Sequence, residues 1–181
     1  MTELKKIALT RAYRCLYPRF TILVTSGTLT HPNVMTVAWA SPLSADPPLI
    51  GISVTSKRYS YELIIKYKEF CVCVPSITLV KETLKAGQLS GRITPNKFIK
   101  CGLTPVASEK IKAPRIQECP IALECVCLDE IVTGDHSLFV GRIVATHVSS
   151  DAIDEWGLNP SIRPIYWRNS SKLDVYYPEK L

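Results

Sequence analysis

Two long apolar, β-branched runs, Ile121–Val132 and Ser137–Val148, are separated only by Thr133-Gly134-Asp135-His136. A connection that short permits only antiparallel pairing of its flanks, and Gly beside Asp suits the backbone of a hairpin turn. The two runs therefore predict a long hairpin, around which the rest of the fold has to be built. Upstream, Phe20–Ser26 is β-branched and stops at Gly27, and Val34–Ala40 reads as a second strand, broken after Ser41 by Pro42. The turn-like segment Thr28–Asn33 separates them. Leu49–Val54 is a third strand, set off by Asp46-Pro47-Pro48, which cannot continue a ladder. Short turns between these three strands imply antiparallel pairing here too.

Helices are few and short. Ser60 to about Lys68 reads as one, with Ser60 as N-cap, Glu62 in the first turn and Leu63 and Ile64 as its apolar face. Phe70–Val74 is a strand ended by Pro75, and Thr78–Ala86 is a helix stopped by Gly87. Thr94-Pro95 to Gly102 is a last short helix, with Pro at its first position and Gly beyond its end. Strands outnumber helices and no βαβ alternation repeats. The expected fold is mainly β with flanking helices, an antiparallel barrel formed by one domain over residues 1–181.

The chain of 181 residues holds enough apolar surface, at 46%, to offset the chain entropy of folding. No apolar run reaches the roughly 18 residues of a membrane helix, and the first residues lack the apolar stretch of a secretory signal. The expectation is a cytoplasmic protein with no membrane partner. Its net charge of +6 is uneven, with residues 1–70 and 71–120 each at +5 and residues 121–181 at −4. A basic two-thirds suits an anion such as a phosphate or nucleotide, or is an ordinary solvated surface. Seven cysteines without a secretory signal do not form a disulfide framework. Cys71 and Cys73, and Cys125 and Cys127, are C-x-C pairs in strand-like runs. That is not the C-x-x-C spacing of structural zinc sites, so core packing is expected over metal ligation.

The chemistry is narrowed by what is missing. There is no G-x-G-x-x-G, no G-x-x-x-x-G-K-[ST], no H-E-x-x-H and no G-x-S-x-G, which removes Rossmann, P-loop, zinc-protease and serine-hydrolase readings. Three segments remain. Thr55-Ser56-Lys57-Arg58-Tyr59-Ser60 joins a strand to a helix, where free backbone N–H groups, hydroxyls and two cations suit an anion, or simply form a cap. Alternation in Asn33–Pro42 puts Thr36, Ala38 and Ala40 on one face and Val37, Trp39 and Ser41 on the other. That pattern suits either a flat ligand lying on small residues or a barrel strand with a core tryptophan. His136, in the hairpin turn, is a titratable group that faces solvent or a ligand.

Taken in order, these segments resemble the flavin reductase-like family. The pieces are Pro18-Arg19 before the first strand, Asn33…Thr36…Trp39-Ala40-Ser41-Pro42, Asp46-Pro47-Pro48-Leu49 and Arg58-Tyr59-Ser60. Asn96-Lys97-Phe98, Cys101-Gly102-Leu103-Thr104 and Gly134-Asp135-His136-Ser137-Leu138-Phe139-Val140-Gly141 follow. The resemblance spans Pro18 to about Ser150, leaving residues 151–181 as a poorly matched tail. It implies an antiparallel Greek-key FMN-binding split barrel, working as a homodimer with non-covalent FMN near the subunit interface. It places the flavin ring along Thr36, Val37, Ala38, Trp39, Ala40 and Ser41 with Asn33 at its edge, and the phosphate at Thr55, Lys57, Arg58 and Ser60. Lys97 would then stand at the N1–C2=O edge of the ring, and His136 would position a nicotinamide or another acceptor. The tail aromatics Tyr166 and Trp167 would cover the flavin or pack on the barrel. Relatives often have proline where Phe20 stands and an acidic residue where Arg142 stands; neither position is expected to touch FMN.

The function this implies is NAD(P)H-dependent flavin reduction, with NADH or NADPH as donor. The alternative is a flavoredoxin-type FMN electron carrier that receives electrons from a redox partner protein. A nucleic-acid-binding barrel is disfavoured, because aromatics are only 8% and none alternate with Lys or Arg as stacking platforms.

Overall fold

In the computed structural model, which describes residues 4–155, 157–169 and 172–174, the hairpin spans the residues the sequence marks for it. Seven strands form one antiparallel sheet: β1 (Ile22–Thr28), β2 (His31–Val37), β3 (Ala40–Ser44), β4 (Leu49–Val54), β5 (Glu69–Val74), β6 (Ile121–Val132) and β7 (Ser137–Val148). Their order across the sheet is β2-β1-β5-β6-β7-β4-β3. The long hairpin β6–β7 is the spine, with Ser137 opposite Val132 and Val148 opposite Ile121. The ladder slips at Val140/Gly141 and again at Ile143/Ala145, bends that curl a long ribbon. Gly141 lies at the first slip, and a Cβ there would stand 2.5 Å from Cζ of the fully buried Phe70. Only glycine lets that ring close the barrel at this point.

The run Val34–Ala40 is not one strand. β2 ends at Val37, the chain crosses Ala38 and Trp39, and β3 begins at Ala40 on the opposite edge of the sheet. The second and third strands expected from sequence thus do not pair with each other; β2 pairs with β1, and β3 with β4. Trp39 marks the seam, and its carbonyl accepts a 2.8 Å hydrogen bond from Ser53 N on β4. Pro42 does not break the second strand but sits within β3, an edge position where its missing N–H costs no ladder bond. Likewise β1 continues through Gly27 to Thr28, and the turn is the two residues Leu29-Thr30.

Alternation along β5 sorts its side chains between two cores. Phe70, Val72 and Val74 join Ile22, Val24, Ile52 and Phe139 in the first. Cys71 and Cys73 join Leu23, Val34, Phe98 and Ile116 in the second, beneath α2 (Val80–Gln88) and α3 (Lys97–Cys101). Cys125 and Cys127 belong to the first core, so the two C-x-C pairs lie on opposite faces of the sheet and pack as small hydrophobes. Gly87 does not stop α2 but lies within it, against the Thr36 side chain. Described residues after the hairpin return to the barrel: Ala152 and Ile162 enter the first core, and Arg19 and Phe20 pair with Trp167 and Tyr166. No helix among the described residues is long and apolar enough to cross a membrane.

Candidate functional site

The β4–α1 connection shapes one end of the site. The chain turns at Thr55–Arg58, with Arg58 N donating to Thr55 O at 3.0 Å, and α1 spans Tyr59–Tyr67. Arg58, not Ser60, holds the N-cap position, and no side chain caps the helix. Ser60 lies instead in the first turn, buried, where its Oγ accepts from Asn33 Nδ2 at 2.7 Å. Asn33 is only 2% exposed and donates a second bond, at 3.2 Å, to Ser26 Oγ on β1. A buried amide needs acceptors more than a solvated helix end needs a cap, which is why Ser60 takes that role. Asn33 Oδ1 is buried without a hydrogen-bond partner. It sits against Gly91, where any Cβ would collide with it and with the Tyr59 ring.

Asn33, Lys57, Arg58, Ser60 and Lys97 line a compartment of about 100 Å³ closed by the Gly87–Gly91 segment. Lys97, the first residue of α3, is 5% exposed, and no described carboxylate pairs with it. Burial pushes its pKa down to about 8, with Arg58 repelling it further. Arg92 braces the loop, donating to Lys57 O at 2.9 Å and pairing with Glu62. Cations gathered around this pocket, beside the N-terminal end of α1, suit an anion. Lys97 thus lines the same compartment as Lys57 and Arg58.

Met35, Thr36 and Arg58 also line a larger cleft of about 700 Å³, so the two spaces adjoin. The cleft runs along Thr36–Trp39 on one side and Ser53–Thr55 on the other, with Asp135 and His136 from the hairpin turn. Two expected side chains are already committed: Thr36 Oγ1 donates to Thr83 O at 2.6 Å, and Val37 points into the core. Ala38 and the seam backbone are what the cleft offers there. The Trp39 ring lies 4.7 Å from that of His136, tilted by 35°. His136 Nδ1 is 2.7 Å from Asp135 Oδ1, and the histidine holds the Asp135 carboxyl below its usual range. Ser41 lies on β3, its Oγ donates to Pro42 O, and it lines an apolar depression with Leu16, Leu43 and Leu138 that shares Tyr13, Trp39 and Ser53 with the cleft.

The N-terminal segment supplies residues that no sequence pattern singled out. Tyr13 packs edge-on to Trp39 at 5.5 Å, and Trp39 Nε1 donates to Tyr17 OH at 3.0 Å. Both tyrosines stand on or just after a 3-10 helix, Leu9–Leu16, that buries no residue. The recurrence of Leu9, Ala12, Tyr13 and Leu16 at helical spacing was the available signal. Tyr166 and Trp167 line neither compartment; they pair with Phe20 and Arg19, and the Tyr166 ring meets Phe20 at 6.0 Å.

A split antiparallel barrel carries at its seam a basic pocket beside a broad cleft, an arrangement that suits a ligand with a charged end and a large body. The sequence pattern of the flavin reductase like domain matches residues 13–173, and the chain belongs to that family. An uncharacterized protein of Archaeoglobus fulgidus is 49% identical over 133 residues, covering 73% of this chain and 74% of that one. Among solved structures, the flavoredoxin of Desulfovibrio vulgaris superposes with a TM-score of 0.80 at 29% identity, over 98% of this chain and 97% of that one. Flavoredoxin from Methanosarcina acetivorans shares the fold, with a TM-score of 0.86 at 23% identity over 99% and 94% of the two chains.

Proposed function

We propose that the protein binds FMN and is a flavin reductase that takes a hydride from NADH or NADPH. The observation that supports this best is the buried Lys97, with Arg58 and Lys57, in a pocket that adjoins the cleft and has no carboxylate among its described lining residues. A ligand suited to both spaces has a small dianion at one end and a flat ring at the other, as FMN does. The unpartnered Asn33 Oδ1 fits the same reading, because a buried acceptor at the junction calls for a donor from whatever lies there.

In this reading Arg58 holds the phosphate by two parallel N–H bonds, Lys97 and Lys57 balance its charge, and the α1 N-terminus adds its dipole. Ala38 and Trp39 give the ring a flat, partly apolar wall. Once bound, FMN supplies the hydride chemistry, and the protein supplies orientation and electrostatics. With Asp135 on Nδ1, His136 keeps Nε2 for the cleft, where it orients a nicotinamide without acting as a base. The thiols suit a reducing, cytoplasmic compartment. The apolar depression beside Trp39, about 320 Å³, suits contact with a second copy in a homodimer.

The second reading is a flavoredoxin-type carrier, favoured by Tyr13 and Tyr17 standing over Trp39 at the cleft mouth. Protein reconstituted with FMN and freed of excess flavin should stay yellow, and a colourless product would overturn both readings. Anaerobic addition of NADH or NADPH should then bleach the flavin. Retention of colour with both nucleotides would overturn the reductase and assign the chain to the carriers.

A further inference from the structure

Among the described residues Lys97 is the one buried lysine, whereas Lys57 before α1 and Lys100, one turn further along α3, are exposed. A buried ammonium is costly unless a carboxylate answers it. None does so here: no Asp or Glu is among the described residues lining the compartment, whose charged groups are Lys57, Arg58 and Lys97. Desolvation therefore favours the neutral amine, and the Arg58 charge adds to the effect. With a pKa of about 8, roughly half of the Lys97 side chains carry a free lone pair near pH 8. A free amine is a nucleophile and an ammonium is not.

The same small space gathers the groups that would hold a reagent against that amine. Arg58 and Lys57 suit phosphate oxygens, and a volume of about 100 Å³ leaves room beside a phosphate for a short substituent only. A phosphate held there brings its substituent to Lys97, which lines the same walls. If the substituent is an acyl group, a good electrophile with phosphate as its leaving group meets a buried, partly neutral amine.

We propose that Lys97 is a site of acylation by short acyl phosphates, the mixed anhydrides of a carboxylic acid with phosphate, and that its acylation closes the compartment to FMN. The acylation needs only a compartment that takes phosphate; the effect on FMN rests on the reading of that compartment as the FMN phosphate site. Lys97 Nζ attacks the acyl carbon with its lone pair. The C–N bond forms, the bond from the acyl carbon to the phosphate oxygen breaks, and phosphate leaves with that electron pair. The proton shed by the amine goes to the departing phosphate, which ends as hydrogen phosphate. Nothing is oxidised or reduced. Arg58 and Lys57 stand where the charge of the leaving phosphate is held. The product is a neutral amide, so the compartment loses one cation and gains the bulk of the acyl group.

The test incubates the flavin-free full chain with acetyl phosphate near pH 8 and quantifies acetylation peptide by peptide. Lys97 should react about tenfold or more faster than the exposed Lys100. Inorganic phosphate and FMN should each suppress the reaction at Lys97 and leave Lys100 unaltered. Arg58→Ala should slow acetylation of Lys97 by about tenfold, the loss of one charge-assisted contact. The acetylated chain should bind FMN about tenfold or more weakly, and Lys97→Gln, which carries a neutral amide, should be weakened alike. Acetylation of Lys97 no faster than that of Lys100, or faster acetylation that inorganic phosphate does not slow, would overturn the proposal. Suppression by inorganic phosphate but not by FMN would uphold the acylation and overturn both its effect on FMN and the FMN reading. The deciding measurements use the parent chain, so they hold even where a variant does not fold.

Discussion

Asn33 Nδ2 and Ser60 Oγ, 27 residues apart in sequence, are 2.7 Å apart and both buried, so the edge strand β2 holds the first turn of α1 directly. Lys57 and Arg58 precede that turn. The depth at which two cations stand in the anion compartment is therefore set by an amide–hydroxyl contact that touches neither of them.

Asn33→Ala removes both bonds of that amide and leaves the Ser26 and Ser60 hydroxyls buried. The expected loss of stability is about 1–3 kcal/mol, read from the urea midpoint, together with weaker FMN binding by fluorescence titration. An FMN affinity equal to that of the parent would show that the loop holds its place without the contact.

The lowered pKa of Lys97 makes stability depend on pH. Its ordinary value is 10.5 and its folded value about 8, so between these limits the unfolded chain keeps a proton that the folded chain has released. Stability of the flavin-free protein should rise with pH across that window, by about 3 kcal/mol from this residue. Lys97→Met should be more stable than the parent at neutral pH and should lack its share of the rise. FMN affinity should run the other way, falling as pH passes 8 and Lys97 discharges. Parallel urea midpoints for parent and variant across the window would refute the assignment.

Lys57→Ala combined with Arg58→Ala should weaken FMN by several kcal/mol, since a charge-assisted bond contributes about 1.5–3. Riboflavin, which lacks the phosphate, should bind parent and double variant alike. Equal retention of FMN by the two proteins would put the phosphate elsewhere.

Gly91→Ala drives a methyl group into the Asn33 amide and the Tyr59 ring. Overpacking of this kind costs about 1–3 kcal/mol, and the displaced amide should also loosen FMN. Calorimetry and flavin titration on one preparation would check both effects; an unchanged melting temperature would mean the segment gives way freely.

The hairpin is legible to the residue because its signals agree: two β-branched runs and Gly134 in the turn at a φ of +88°. The seam is not. Residues 34–40 carry continuous strand propensity with no breaker, and the break at Ala38–Trp39 comes from wrapping the sheet, a demand local sequence does not encode. Ser60 misleads for a similar reason: capping is a local role, and the buried Asn33 competes for it from a distant strand. Lys97 is legible as a site residue, but its grouping with Arg58 in one compartment depends on how α3 packs on α2 and β2, which no local pattern encodes. Tyr13 and Tyr17 are placed by their contacts with Trp39, which the helical spacing of Leu9, Ala12, Tyr13 and Leu16 does not reveal.

The seam at Trp39 has a mechanical consequence. The two margins of the sheet, β2 and β3, are joined there by two residues, and a molecule lying along Thr36–Trp39 bears on both. Such an occupant acts as a buckle: prying the margins apart means expelling it, so its binding free energy adds to the work of unfolding. A ligand held at a hundred times its Kd would add about 2.7 kcal/mol in this way. The same molecule would be both reagent and fastener, and emptying the cleft would slacken the barrel at the one place where its wall is not continuous.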